Sequence, residues 1–229
     1  MKIAGVLFDL YGTLFTYGNM SKAFGFWHED ITCALKELGV SVSISQVSKQ
    51  CKHFFSETVP ESESFTQYEL RLQKLAEFFG AKPDYNWIKH TAAISMNRWQ
   101  RLVPIHPQTI PLLQKLKKQR IQVGIISNFQ HAPHVRKVLR KHGLLKILDA
   151  VIISGEVHVS KPNPKIFKIA LERLGTKAEE TLFVGDDPER DIRGAASVGM
   201  QTCLFQNGSP LFEIFKNEKD SPFPIDRKD

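Results

Sequence analysis

From Pro104 onward, short apolar runs alternate with helical stretches, and this alternation restricts the fold more than any other feature. QVGIIS, DAVIIS, TLFVGD and MQTCLF read as buried strands, each a short apolar run bounded by turn or polar residues. HPQTIPLLQKLKKQR, PHVRKVLRKHG, NPKIFKIALERLG and DIRGAASVG read as the helices that precede or separate them. Leu112, Leu113 and Leu116 face inward in the first, and Gly143 and Gly175 stop the second and third. Strands alternating with helices of this length imply βαβ units and a parallel sheet. IAGVLFD, residues 3–9, is a further buried strand of the same kind. Between Met20 and Arg101 the pattern is helical only. ITCALKELG, SQVSKQCKHFF, YELRLQKLAEFFG and WIKHTAAISMNRW follow one another with no strand among them, as an inserted helical subdomain would.

The chain has 229 residues, 42% hydrophobic and 24% charged, the profile of a globular protein large enough to need no disulfide staples. Cys33, Cys51 and Cys203 are scattered and form no C-x-x-C pair, which suggests unpaired, mostly buried thiols in a reducing compartment. The apolar run at the start ends at Asp9, too early for a signal sequence, and no stretch reaches the ~18 apolar residues of a membrane span. The expectation is a cytoplasmic protein without membrane contact. The net charge of +7 concentrates in KLKKQR and RKVLRK, which read as solvated helix faces. No nucleic-acid motif accompanies them, so no nucleic-acid partner is expected; a positive field favours a small anionic substrate. The polar tail after Asn207, with Pro210, Pro222 and Pro224, reads as loosely held.

In an open parallel sheet, ligands bind beyond the carboxyl ends of the strands. That rule nominates Asp9, Ser127, the segment after Ser154, and Gly185-Asp186-Asp187. Asp9 is either a strand-end turn former or a carboxylate nucleophile that splits one hard step into two. Gly12 and Thr13 suit a tight turn where backbone approaches a ligand closely. Ser127 and Asn128 either cap a helix or bind a transferring oxygen. Lys161 is a surface lysine before Pro162, or a cation offsetting charge on nucleophile and substrate. In GDDPERD, Asp186, Asp187 and Asp191 repel one another unless a cation compensates; Mg²⁺ takes one or two carboxylates plus waters and a substrate phosphate. A solvated, helix-capping loop is the alternative for Asp187 and Asp191. His131 and His134, three residues apart, read as a solvated helix start rather than a metal pair. The aromatics of the helical region, Phe24, Phe26, Trp27, Phe54, Phe55, Phe78, Phe79, Trp87 and Trp99, read mostly as core.

Taken in order, Asp9 at the first strand, Ser127, Lys161 and GDDPERDIRGA resemble the four motifs of the haloacid dehalogenase superfamily, over residues 3–17 and 104–205. The resemblance implies a Rossmann-like core of residues 1–17 and 104–229 and an all-helical cap of residues 18–103. It implies Asp9 as nucleophile, with Ser127, Asn128 and Thr13 about the phosphoryl group and Lys161 positioning Asp9 and the substrate. Mg²⁺ would be bound by Asp9, Asp186 and the backbone carbonyl of Tyr11. Asp187 would support the metal through water, and Asp191 would orient Lys161.

One position departs from the phosphatase pattern. Phosphatases of this superfamily usually carry a second Asp two residues after the nucleophile, to protonate the leaving alkoxide and then activate water. Here that residue is Tyr11, and FDLYGTLF resembles the first motif of the L-2-haloacid dehalogenases, whose halide leaves without a proton. Those enzymes work without metal, lack the acidic pair kept here as Asp186 and Asp187, and use a cap arginine, whereas no arginine precedes Arg71. The acidic cluster favours the reading as a magnesium-dependent hydrolase of small phosphorylated metabolites. The alternatives are a metal-free dehalogenase acting through an ester on Asp9, and a binding or regulatory protein weakened by Tyr11. A phenol donates a proton poorly, and losing a general acid–base typically costs about 10²–10⁴-fold.

Overall fold

The computed structural model describes residues 3–206 and 209–212. In chain order these form β1 (Gly5–Phe8), α1 (Met20–Glu37), α2 (Ile44–Phe54), α3 (Gln67–Phe78), α4 (Tyr85–Gln100), α5 (Thr109–Lys118), β2 (Gln122–Ser127), α6 (Ala132–Lys141), β3 (Ala150–Ile153), α7 (Ser154–Val157), α8 (Pro164–Leu174), β4 (Thr181–Gly185), a π-helical turn (Pro188–Arg193), α9 (Gly194–Ala196) and β5 (Gln201–Leu204). The polar tail after Asn207 lies largely outside the described residues.

The chain divides into two compact units. The first holds the described residues up to Tyr17, Ile105–Phe129, and those from Val135 on. Its sheet is five-stranded and parallel, in the order β3-β2-β1-β4-β5. The chain winds outward in both directions from β1, whose two neighbours are β2 and β4. β1 therefore ends at the switch point where such sheets bind ligands. Phe8 lies beside Ile125 on one side and Val184 on the other, so the residues after these strands emerge together. β1 and β4 are wholly buried, as the continuous apolar runs GVLF and TLFVG require. Leu7, Ile126, Ile166, Phe167 and Phe183 sit in one core cluster, with the Phe167 and Phe183 rings edge to face at 5.4 Å. Burying each of these side chains contributes about 1.5–3 kcal/mol before chain entropy is counted.

The second unit comprises Gly18–Pro104 with Gln130–His134. Ser43 with Gln46 and Thr66 with Glu69 form capping boxes that start α2 and α3. Its apolar interior includes Ile31, Leu35, Leu72 and Leu75, all fully buried. A buried chain of hydrogen bonds runs from Trp27 Nε1 to the Tyr68 hydroxyl (2.6 Å) and on to Ser95 Oγ (2.8 Å). Arg98 of α4 bonds Asp30 (2.6 Å) and Glu29 (3.0 Å) of α1. Phe24 and Phe78 are about half exposed rather than core residues.

Gln130–His134 fall within residues expected to belong wholly to the core, yet they group with the helices. Arg71 Nη1 donates to Gln130 Oε1 at 2.5 Å, His131 Nδ1 pairs with Thr66 Oγ1 at 3.0 Å, and His134 Nε2 with Gln100 Oε1 at 3.1 Å. The two histidines are buried, not solvated, and face different partners. Of the cysteines only Cys51 is buried, and all three are unpaired. No helix among the described residues is long and apolar enough to cross a membrane.

Candidate active site

The ends of β1, β2 and β4 and one loop each contribute a part of a single cavity. β1 delivers Asp9, whose N–H continues the ladder by donating to Val184 O at 2.8 Å. β2 delivers Ser127, β4 delivers Asp186, and the loop between α7 and α8 delivers Lys161. These side chains line one cavity together with Tyr11, Asn128, Asp187 and Asp191. Of the site residues expected from sequence, Thr13 stays apart. It is fully buried, does not line the cavity, and its hydroxyl has no hydrogen-bond partner among the described residues.

The centre is an ammonium shared by two buried carboxylates. Lys161 Nζ lies 2.5 Å from Asp9 Oδ1 and 2.6 Å from Asp191 Oδ1. Burial alone would lower the Lys161 pKa, but Asp9 and Asp191 outweigh it and keep the ammonium charged. Burial pushes the Asp9 carboxyl up to about 7; Lys161 opposes this, while Asp191 and Asp186 add to it. Burial, then Asp191, likewise raises Asp186. The cluster carries more negative charge than its one ammonium offsets.

Two glycines let these groups converge. Gly12 has φ +108°, and a Cβ there would come within 2.5 Å of Asp186 Cγ. A Cβ at Gly185 would stand 2.5 Å from Asp191 Cγ. After Gly185 the chain makes its π-helical turn, with Ile192 N–H donating to Asp187 O at 3.2 Å. That turn brings Asp191 back toward the strand end, where Oδ2 accepts the Asp187 N–H at 3.0 Å.

Two of the expected site residues also hold the local backbone in place. Asn128, expected near the substrate, lines the cavity, and its side chain also bridges the Lys161 backbone. Oδ1 accepts the Lys161 N–H and Nδ2 donates to the Lys161 carbonyl, both at 2.9 Å. Asp187 was expected to support a metal through water. In the structure Oδ1 accepts the N–H groups of Glu189 (3.0 Å) and Arg190 (2.7 Å), and Oδ2 accepts Arg190 Nε at 2.7 Å. The backbone N–H of Arg190, the strongest influence, holds Asp187 below the usual carboxylate range. Asp187 caps the turn, one of the two roles its sequence context offered.

The Tyr11 ring stacks at a tilt on Phe129, with centroids 5.0 Å apart. Burial, then Tyr17 and Asp9, raises its phenol well above the ordinary value, making it a still weaker proton donor than a free tyrosine. Its carbonyl oxygen accepts the Tyr17 hydroxyl at 2.8 Å. Tyr17 and Arg190 complete the cavity, and the sequence reading did not single out either. Arg190 was legible in principle. It follows the capping Asp187 by three residues, the spacing at which one helical turn brings side chains together.

The donor set suits a hard divalent cation. Carboxylate oxygens of Asp9, Asp186 and Asp191 lie within 4.8 Å of one another. Asp9 Oδ2 is buried without a hydrogen-bond partner among the described residues. An unpartnered buried carboxylate oxygen is costly unless a cation or ligand meets it.

The haloacid dehalogenase-like hydrolase model matches residues 3–199. The glyceraldehyde 3-phosphate phosphatase of Methanopyrus kandleri is 31% identical over 98% of this chain and 94% of its own length. A HAD phosphatase from Thermococcus onnurineus, known from its crystal structure, is 27% identical and superposes with a TM-score of 0.63 over 92% of this chain and 89% of its own. A 2-haloacid dehalogenase from Pseudomonas syringae pv. Tomato DC3000 shares the fold, with a TM-score of 0.68 at 23% identity over 89% of this chain and 86% of its own. With a match spanning nearly the whole described chain, and with Asp9, Ser127, Lys161 and Asp186 converging in one cavity, this protein belongs to the haloacid dehalogenase-like hydrolases.

Proposed function

We propose that this hydrolase is a magnesium-dependent phosphatase of small phosphorylated metabolites that takes the phosphoryl group onto Asp9. The observation that carries the reading is the asymmetry of the Asp9 carboxylate. Oδ1 is held by Lys161 at 2.5 Å, while Oδ2 has no partner among the described residues. A carboxylate fixed through one oxygen and bare at the other is oriented for attack. Oδ2 forms a bond to phosphorus as the bond to the leaving oxygen breaks. Water then cleaves the acyl phosphate, regenerating the carboxylate and releasing phosphate. Lys161 balances charge on Asp9 and on the incoming phosphoryl oxygens, and the Ser127 hydroxyl receives one of those oxygens.

Asp9, Asp186 and the Tyr11 carbonyl would hold Mg²⁺. Asp191 is left out of that set because Lys161 and the Asp187 N–H engage its two oxygens. When bound, the cation offsets the charge of the phosphoryl oxygens. The likeness to relatives named as phosphatases supports the same reading.

Tyr11 sets the rate. Its raised phenol is a poor acid for a leaving alkoxide and no base for the water step. Substrates whose leaving group needs little protonation are therefore favoured. Tyr11→Asp is expected to raise kcat on an alkyl phosphate by about 10²-fold, with a smaller gain on an aryl phosphate. An unchanged alkyl-phosphate rate would count against this role.

Asn128 acts through Lys161. Asn128→Ala removes both side-chain bonds to the Lys161 backbone, each worth about 0.5–1.5 kcal/mol. The expectation is a kcat lowered about ten- to a hundredfold with KM less affected, and little further loss when Lys161 is already replaced. Additive losses in the double variant would show that the two residues act independently.

The reading as a whole is tested by assaying an aryl phosphate with and without magnesium and 2-chloropropionate without it, using Asp9→Asn as blank. Magnesium-dependent phosphate release supports it. Chloride release without metal would replace it with the dehalogenase reading, to which the first motif points.

A further inference from the structure

We propose that Arg190 forms a subsite for a second anionic group, so that the site prefers phosphomonoesters bearing a carboxylate or a second phosphate near the transferred group. The inference rests on the phosphatase reading and names the substrate class for the same cavity. Among the residues lining that cavity, Lys161 and Arg190 carry the positive charges. Lys161 is committed to the reacting centre: its side chain is 2% exposed and lies between Asp9 and Asp191. Arg190 is available: its side chain is 58% exposed on the same cavity wall.

What distinguishes it from an ordinary surface arginine is how it is held. Asp187 uses Oδ1 to cap the turn, binding the N–H groups of Glu189 and Arg190, and uses Oδ2 to grip the arginine's own Nε at 2.7 Å and Nη2 at 2.7 Å. One aspartate therefore fixes both the backbone and one edge of the guanidinium. Among the described residues Nη1 makes no hydrogen bond, so the opposite edge is presented unspent. A planar fork held along one edge loses little freedom when its other edge meets a carboxylate or phosphate. Nothing in the phosphoryl-transfer chemistry uses Arg190, so its place in this wall bears on which substrate is chosen.

The test compares kcat/KM for 3-phosphoglycerate, glycerol 1,3-bisphosphate and glycerol 3-phosphate, three-carbon esters that differ in the second anion. In Arg190→Gln, the preference for one or both substrates bearing a second anionic group over glycerol 3-phosphate is expected to fall about tenfold, the scale of one charge-assisted contact. Arg190→Lys, which keeps the charge but not the fork, is expected to lose about threefold. Loss confined to 3-phosphoglycerate assigns the subsite to a carboxylate, and loss confined to the bisphosphate assigns it to a phosphate. An unchanged ratio for both overturns the proposal. If no ester is turned over by the parent protein, the phosphatase reading fails instead, and calorimetric binding of 3-phosphoglycerate decides the subsite. Binding about tenfold weaker in Arg190→Gln supports it, and equal binding overturns it. Thermal midpoints of both variants, expected within a few degrees of the parent, separate these outcomes from loss of fold.

Discussion

Asp9→Asn is expected to lower phosphatase turnover by about 10⁴-fold or more while leaving the fold at least as stable. The loss follows from removing the group that forms the covalent bond to phosphorus. The stability follows from charge. In the parent protein one ammonium faces Asp9 at 2.5 Å and Asp191 at 2.6 Å, with Asp186 close by. Replacing Asp9 by a neutral amide leaves Lys161 paired one to one with Asp191 and removes a like-charge repulsion. Denaturation followed by circular dichroism checks this beside the activity assay. A variant that is inactive because it has unfolded would refute the electrostatic description of the site, whatever its catalytic role.

Lys161→Met is expected to have the opposite profile, losing activity and stability together. Methionine fills a similar space but leaves two buried carboxylates facing each other with no cation. Breaking a buried pair by removing one partner costs about 3–5 kcal/mol. In a domain of this size that lowers the melting midpoint by on the order of 10 °C. Turnover falls by about 10³-fold or more because the charge that offsets nucleophile and phosphoryl group is gone. Magnesium is expected to restore part of the lost midpoint, since a cation bound to the folded state stabilises it. A melting midpoint unmoved by the substitution would mean that Lys161 does not neutralise the cluster.

The sheet and the four strand-end positions were legible in the sequence for one physical reason. A parallel strand buried on both faces must be apolar along its length, so the first polar residue after GVLF or TLFVG marks where the chain reaches the ligand-binding edge. Asp9, Ser127 and Asp186 were located that way, and Lys161 by its place before Pro162. What the side chains bind there was less legible. Asp187 reads alike as a support for the metal through water and as a helix cap; the π-helical turn aims two N–H groups at its Oδ1. Nothing beside Asn128 in the sequence shows that its amide bridges the Lys161 backbone, a pairing 33 residues distant. His131 and His134 read as a solvated helix start, yet Thr66 and Gln100, 65 and 34 residues away, hydrogen-bond them. Contacts at such separation leave no local trace. Arg190 differed: its partner is three residues away, and its spacing was readable.

The most direct test of the central claim is to trap the covalent intermediate. The protein is mixed with magnesium and a radiolabelled aryl phosphate, quenched in acid within milliseconds, digested, and the label located by mass spectrometry. The account predicts an acid-stable acyl phosphate on the peptide containing Asp9, absent in Asp9→Asn and absent when magnesium is chelated. Rapid phosphate release with no label on Asp9, or label carried by another residue, would contradict it.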